Sequence, residues 1–196
     1  MQNKRFSGYI IGAILVIIGL FLIVNYNSLV KKEELVKLQW NEVQNSYQRR
    51  MDFIPNVVNT VKGQANFEQN TLVQVTEARA KAGSVTIVGN EINADKFNQQ
   101  ATAQDGLAAA TNKLLITVEK YPDLKGAAAF KGLQTQLEGT ERRIKVARKD
   151  FNAAIADYNQ SVRGFPTKIV AALLGFKAKD GFQSDAGANK SVEIKF

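Results

Sequence analysis

The feature that most constrains this chain is an uncharged, apolar stretch near its start. No charged residue occurs in the 25 positions from Phe6 to Val30, and Gly8 to Val24 is almost entirely apolar. A helix of this length extends about 37 Å, whereas the hydrocarbon core of a bilayer is about 30 Å thick. The stretch therefore predicts a helix that crosses a membrane at a tilt.

A cleaved signal peptide is the alternative interpretation of the same stretch. Its apolar region is about 7–15 residues long and ends in a small-x-small cleavage site. The apolar run here is longer, and Val24-Asn25-Tyr26-Asn27 offers no such site. We therefore expect an uncleaved membrane anchor.

The charge distribution supports a membrane location. The chain has 26 basic and 18 acidic residues, a formal net charge of +8. Half of the excess comes from Lys4, Arg5, Lys31 and Lys32, which flank the apolar stretch as basic residues flank membrane helices. The rest is spread over residues 33–196 and forms no concentrated phosphate-binding stripe. The expected partner is the lipid bilayer, and no nucleic acid is expected.

The two ends of the anchor carry nearly equal numbers of basic residues. Lys4 and Arg5 precede it, and Lys31, Lys32 and Lys37 follow it. A short basic tail ahead of an anchor favours a tail inside and a domain outside. We expect a single-pass protein with its domain on the extracytoplasmic side.

Three glycines in the anchor have the spacing of a helix contact. Gly8 and Gly12 form a G-x-x-x-G pair, and Gly19 lies seven residues further on a similar face. Such spacing lets two membrane helices approach closely, although glycine is also common in membrane helices in general. The pattern predicts self-association, and hence a homo-oligomer.

Two residue types are missing, and their absence excludes much chemistry. The chain has no Cys and no His. Disulfides, thiolate nucleophiles and Cys-built metal sites are therefore excluded, as is the side chain best suited to proton transfer near neutrality. We expect no catalytic, cofactor-binding or metal site.

Beyond Val30 the apolar residues recur at helical spacing. Steps of three and four connect Val36, Trp40, Val43, Tyr47, Met51, Ile54, Val58 and Val61. The phase runs through Pro55, which removes one backbone hydrogen bond and predicts a kink rather than an end. One helix is expected over Asn25–Lys62.

Further helices follow by the same criterion. A second ends at Gly83, and a third stops before Pro122, because the residue preceding a proline avoids helical geometry. A fourth, Ala127–Val162, keeps a period near 3.5 over five heptads, and Thr167–Leu174 predicts a short amphipathic helix. The simplest all-α solution is an anchor followed by an antiparallel four-helix bundle with long first and last helices.

These patterns divide the chain into three parts. Residues 1–30 form the basic tail and anchor, residues 31–175 the bundle, and residues 176–196 a flexible tail rich in Lys, Asp, Gly, Ser and Asn. Residues 83–95 break the helical pattern. Loops this long are often functional, although apolar residues in this one can equally pack against the domain.

Short motifs occur in order from residue 40 to residue 176. They include Trp40-Asn41, Tyr47-Gln48-Arg49-Arg50, D-F-I-P-N-V-V at 52–58, Tyr121-Pro122-Asp123-Leu124, Gln136 to Glu141, Phe165-Pro166 and Gly175-Phe176. With these motifs the chain resembles the LemA family of bacterial membrane-anchored proteins. The resemblance implies a membrane helix followed by a helical bundle, in a protein of the bacterial inner (cytoplasmic) membrane tied to membrane-protein complexes and envelope upkeep. Residues 64–68 depart from the family's Tyr-Ala-x-His-Glu run, so no role of that histidine applies.

Charged residues on the domain helices are the remaining candidate site. We expect polar contacts and ion pairs between helices at five of these residues: Arg50, Asp52, Arg79, Glu141 and Arg148. Such pairs would fix the register between helices. Buried ion pairs add specificity more readily than stability.

The sequence is best interpreted as a non-enzymatic assembly protein that binds copies of itself or an integral membrane partner. Two alternatives stay open. One is a signalling or adaptor protein that relays a state to a membrane protease or kinase, with the helix around Pro55 as the moving element. The other is an enzyme acting through Glu, Asp and Lys alone, which requires a concave pocket of carboxylates.

Overall fold

The computed structural model describes residues 2–63, 67–85 and 94–182. These ranges contain helices and no strand, which confirms the all-α class. The helices are α1 (Gln2–Lys62), α2 (Gln69–Ser84), α3 (Ala94–Val118), α4 (Pro122–Gly126), α5 (Ala128–Arg163) and α6 (Thr167–Leu174). The long apolar N-terminal helix is confirmed, and α1 continues from the apolar stretch through Pro55 without interruption.

Helix α4 is an element that the sequence pattern did not predict. Helix α3 ends at Val118, and the backbone N–H of Tyr121 donates to the Val118 carbonyl at 2.9 Å. Pro122 then occupies the first position of α4. Proline suits that position, since its fixed φ is already helical and the N–H it lacks would have no partner there. Pro122 thus begins a helix, whereas α3 ends four residues before it.

The described chain divides into two compact units. The first comprises residues up to Asn41 together with Asp150–Lys179. Its buried side chains come from α1 (Leu29, Val36, Trp40), from α5 (Phe151, Ala154, Ile155, Tyr158, Val162) and from α6 (Val170, Ala171). The rings of Trp40 and Phe151 pack with centroids 5.2 Å apart.

The second unit comprises the described residues within 42–149 together with residues 180–182. Its core draws on five helices: Ile54, Val57 and Val61 of α1, Val75 and Ala82 of α2, Leu107, Leu114 and Val118 of α3, Leu124 of α4, and Phe130 of α5. Ile54 and Val61 were expected from the spacing, whereas Val57 is buried and the expected Met51 and Val58 pack half-buried against the core.

The chain after α6 begins with a helix cap. Gly175 has φ +79°, a left-handed conformation that glycine adopts without steric cost, and the Phe176 N–H donates to the Ala171 carbonyl at 2.9 Å. Further on, the Asn159 amide binds both backbone groups of Lys179, at 2.7 and 2.8 Å. Phe176 and Lys179 therefore make specific contacts with α6 and α5, and the flexible tail over residues 176–196 stays a prediction. Residues 86–93 of the predicted loop and 183–196 of the predicted tail lie outside the described residues.

Candidate functional site

The apolar part of α1 is not covered by the rest of the described chain. Its side chains are exposed on every side of the helix, including Tyr9 (77%), Leu15 (63%) and Val24 (66%). An 18-residue window is apolar enough to cross a membrane, and none of it is buried. Soluble monomers rarely expose an apolar surface of this extent, so the segment fits a membrane protein.

The three glycines of this segment form an open stripe. A Cβ atom built on Gly8, Gly12 or Gly19 would meet no atom within 4 Å outside the local helix. Spacings of four and seven residues keep the three positions near one side of the helix. The stripe is thus free for close approach by a helix from another molecule.

Polar and aromatic contacts mark the end of the apolar segment. The Asn25 amide donates to the Phe21 carbonyl at 2.8 Å, and its oxygen accepts a 2.8 Å hydrogen bond from the Thr167 hydroxyl. The ring of Tyr26 packs edge-on against Phe176, with centroids 6.0 Å apart. Polar and aromatic contacts of α1 with the rest of the first unit are therefore present directly after Val24.

Among the described residues of the second unit, Arg50 is the most deeply buried charge, with 2% of its surface exposed. One guanidinium nitrogen forms an ion pair with Glu141, and the other donates to the backbone carbonyl and side-chain oxygen of Gln104, at 2.9 and 3.3 Å. Burial lowers the pKa of Arg50, and the Glu141 carboxylate opposes that shift. Arg50 Nε and Gln104 Nε2 are buried without a hydrogen-bond partner among the described atoms, so the cluster is only partly satisfied.

A second cluster surrounds Arg148. Its Nε donates to the Tyr47 hydroxyl at 2.9 Å, and a terminal nitrogen pairs with Asp105 at 2.8 Å. The guanidinium also lies 5.4 Å from the Tyr47 ring centre and 5.3 Å from that of Phe182, which is cation–π geometry. Burial alone lowers the pKa of Arg148, but Tyr47 and Asp105 outweigh it and the net pKa is raised.

Asp52 and Arg79 make polar contacts in the second unit, although neither forms an ion pair within the described chain. Asp52 is exposed and accepts a 2.7 Å hydrogen bond from Gln48. Two residues turn a helix by about 200°, so Asp52 lies away from buried Arg50. Arg79 donates through Nε to the backbone carbonyl of Met51 at 2.8 Å. Its role is a side-chain contact to the backbone of α1.

Sequence reasoning missed the glutamines of α3. Gln100 and Gln104 are buried, and Gln100 exchanges amide hydrogen bonds of 2.8 and 3.0 Å with Gln44 of α1. The spacing of residues along α3 could have identified these two glutamines. The buried face of α3 runs, in steps of three and four, through Phe97, Gln100, Gln104, Leu107, Thr111, Leu114 and Val118. A search restricted to apolar residues passes over the polar members of this row.

The described residues contain no candidate metal-binding site built from acidic side chains. No group of three or more Asp or Glu side chains in these ranges could hold a metal ion.

The two arginine clusters connect α1, α3 and α5 through hydrogen bonds and ion pairs.

Comparison with known proteins finds one matching family and several related sequences. The sequence profile of the LemA family matches residues 39–196. The magnetosome protein MamQ 2 of Paramagnetospirillum magneticum is 26% identical over 188 residues, covering 87% of this chain and 69% of the relative. The magnetosome protein MamQ of Magnetospirillum gryphiswaldense shows the same identity and coverage over 190 residues. Protein LemA of Metamycoplasma hominis is 26% identical over 164 residues, covering 80% of this chain and 69% of the relative.

Proposed function

Because the chain belongs to the LemA family, we propose that it is a membrane-anchored, non-enzymatic assembly protein that associates with copies of itself or with integral membrane proteins. The observation that carries the proposal is the uncovered apolar helix with its open glycine stripe. The family and its relatives carry names that are not those of enzymes, in line with this role.

The anchor would cross the bacterial inner membrane once, with residues 31–175 on the extracytoplasmic side. Support for the crossing comes from the length of the apolar stretch and from the basic residues that flank it. For residues 31–175 we retain the antiparallel four-helix arrangement as our prediction. A domain held beside the bilayer meets its partners at high effective concentration, so weak contacts suffice for assembly.

Self-association would proceed through the glycine stripe. Helices in lipid gain little from apolar burial, so close backbone contact at small residues is a main source of their association. Gly8, Gly12 and Gly19 offer that contact, because nothing in the described chain fills the space above them.

The test compares the mass of full-length chains in mild detergent by light scattering. The unaltered protein is expected to form an oligomer, and Gly12→Leu is expected to shift it to monomer. The added side chain has free space within its own chain, so a change in mass reports on the contact between chains. Ala13→Leu is the matched control, because residue 13 lies about 100° around the helix from Gly12.

Two results would contradict this proposal. One is an unaltered protein that is monomeric and, after crosslinking in membranes, brings down no membrane protein. The other is an oligomer whose mass is unchanged in Gly12→Leu and in a variant with leucine at Gly8, Gly12 and Gly19 together, which would remove the glycine stripe from the proposal.

A further inference from the structure

Helix α6 exposes an apolar face. Phe165, Ile169 and Leu173, which are 85%, 62% and 72% exposed, follow one another at four-residue spacing. Val170 and Ala171, on the opposite side, are buried in the first unit. The helix thus packs through one side and presents large apolar side chains on the other. We call Phe165, Ile169 and Leu173 the α6 apolar face.

Two contacts fix the position of α6 relative to α1. Thr167, at its first residue, donates to Asn25, and Phe176, just beyond its end, packs on Tyr26. Asn25 and Tyr26 are the two residues that follow Val24, where the apolar segment of α1 ends. Helix α6 is therefore attached to α1 at the level where α1 would leave the hydrocarbon core.

The charged residues within α6 and directly next to it in the sequence are all basic. Residues 163–177 contain three basic residues, Arg163, Lys168 and Lys177, and no acidic residue. All three are exposed. Exposed Phe and Leu side chains flanked by Lys and Arg are typical of helices that lie in the interface of an anionic membrane.

We propose that the α6 apolar face inserts into the interface of the bilayer that α1 crosses, while Arg163, Lys168 and Lys177 bind anionic lipid headgroups. The inference rests on the proposed function, since it requires α1 to span that bilayer. It gives the first unit a second membrane contact besides the anchor. Three apolar side chains bind a bilayer weakly alone, but here the anchor supplies the tether.

The experiment uses the absence of native cysteine in the chain. Single cysteines at Ile169, Leu15 and Ala153 of the full-length protein are labelled with an environment-sensitive fluorophore. The proteins are reconstituted into vesicles of phosphatidylcholine and phosphatidylglycerol. Nitroxide lipids quench labels within the bilayer, and aqueous iodide quenches labels in water. Ile169→Cys reports on the α6 apolar face, Leu15→Cys on the anchor, and Ala153→Cys on an exposed site of α5.

The expected result is strong quenching of the Ile169→Cys label by nitroxide near the headgroup, and weaker quenching by nitroxide near the acyl-chain end. Removing phosphatidylglycerol should reduce this quenching. The Leu15→Cys label should respond most to the deep nitroxide, and the Ala153→Cys label mainly to iodide.

Different failures have different meanings. If the Leu15→Cys label is quenched by lipid but the Ile169→Cys label responds only to iodide, the inference is wrong and the anchor stands. If the Ile169→Cys label is shielded from both quenchers, another protein surface such as a second copy covers the face, and the inference is again wrong. If the Leu15→Cys label is not quenched by lipid, the membrane crossing in the proposed function fails as well.

Discussion

The Nε–H of Arg79 donates to the backbone carbonyl of Met51 at 2.8 Å. Met51 lies four residues before Pro55, inside α1, so its carbonyl is the one that lacks a helical donor because proline has no N–H. A side chain of α2 thus replaces the hydrogen bond that Pro55 removes from α1. This relationship explains how α1 continues through a proline, and it assigns Arg79 a role that ion pairing does not describe.

The first prediction concerns the coupling between Arg79 and Pro55. Arg79→Met should lower the free energy of unfolding by about 1–3 kcal/mol, because it leaves the carbonyl of the half-buried residue Met51 without a partner. In a Pro55→Ala background the restored N–H of residue 55 can donate to Met51, so the same change should cost about 1 kcal/mol less. Chemical unfolding of the four full-length chains in detergent measures this cycle. Equal costs in both backgrounds would contradict the proposed replacement.

The second prediction concerns the asymmetry of the Arg50–Glu141 pair. The side chain of Arg50 is 2% exposed and that of Glu141 is 38% exposed. Glu141→Gln should therefore cost about 2–3 kcal/mol, because it leaves a buried guanidinium without its counter-charge. Adding Arg50→Met removes the stranded charge and should recover much of that loss.

Urea midpoints of the single and double variants give the comparison. Glu34→Gln is the matched control, since Glu34 pairs with Lys37 at 2.7 Å on the surface and the change should cost less than about 1 kcal/mol. A double variant less stable than Glu141→Gln alone would show that the unpaired charge of Arg50 is not the cause of the loss of stability.

The third prediction concerns alkaline pH and Tyr158. Burial, followed by the nearby charge of Glu33, raises the pKa of Tyr158 from 10.0 to about 12. The unfolded chain loses this proton first, so stability supplied by the neutral phenol is complete below pH 10 and is lost as the pH rises towards about 12. The loss attributable to this residue should be about 2 kcal/mol.

Trp40, the single tryptophan, reports on unfolding of the first unit, where Tyr158 also lies. Urea titrations followed by its fluorescence should show a smaller decline in stability between pH 10 and 12 for Tyr158→Phe than for the unaltered chain. Tyr26→Phe, at an exposed ring, should follow the unaltered chain. Parallel declines in the unaltered and Tyr158→Phe proteins would show that Tyr158 does not carry the effect.

The fourth prediction concerns Phe182. Its ring packs against Phe97 at 5.8 Å between centroids and lies next to the Arg148 guanidinium. Phe182→Ala should lower the free energy of unfolding by about 1–2 kcal/mol. Phe182→Leu keeps apolar volume without a π face, so its cost should be intermediate. Thermal unfolding followed by circular dichroism compares them, and an unchanged midpoint in Phe182→Ala would mean that the contact adds no stability.

Much of the secondary structure could be predicted because it depends on local spacing. Most of the α1 positions expected at steps of three and four are buried, among them Val36, Trp40 and Ile54, whereas Met51 and Val58 are half-buried. The bounds of α6 agree with the predicted range of 167–174. The short helix α4 was missed, because a five-residue helix starting at a proline has no periodicity to detect.

The polar contacts could not be predicted in the same way. Whether Arg79 would bind a carboxylate or a carbonyl depends on which group of α1 stands opposite it, and the Met51 carbonyl is available only because of Pro55. The contacts of Lys179 with Asn159 likewise use backbone groups, which every residue carries and no motif marks.

The sequence by itself determined the apolar N-terminal segment, its glycine stripe and the helical class. Each of these depends on residue types and spacing along a single segment. Only the tertiary structure decided which polar groups meet, since Arg50 and Glu141 are 91 residues apart and Arg148 and Tyr47 are 101 apart. It also decided that helix α6 lies beside the end of the apolar segment of α1, through the Thr167–Asn25 contact across 142 residues. Such pairings follow from how the helices pack, and one-dimensional spacing does not encode which faces come together.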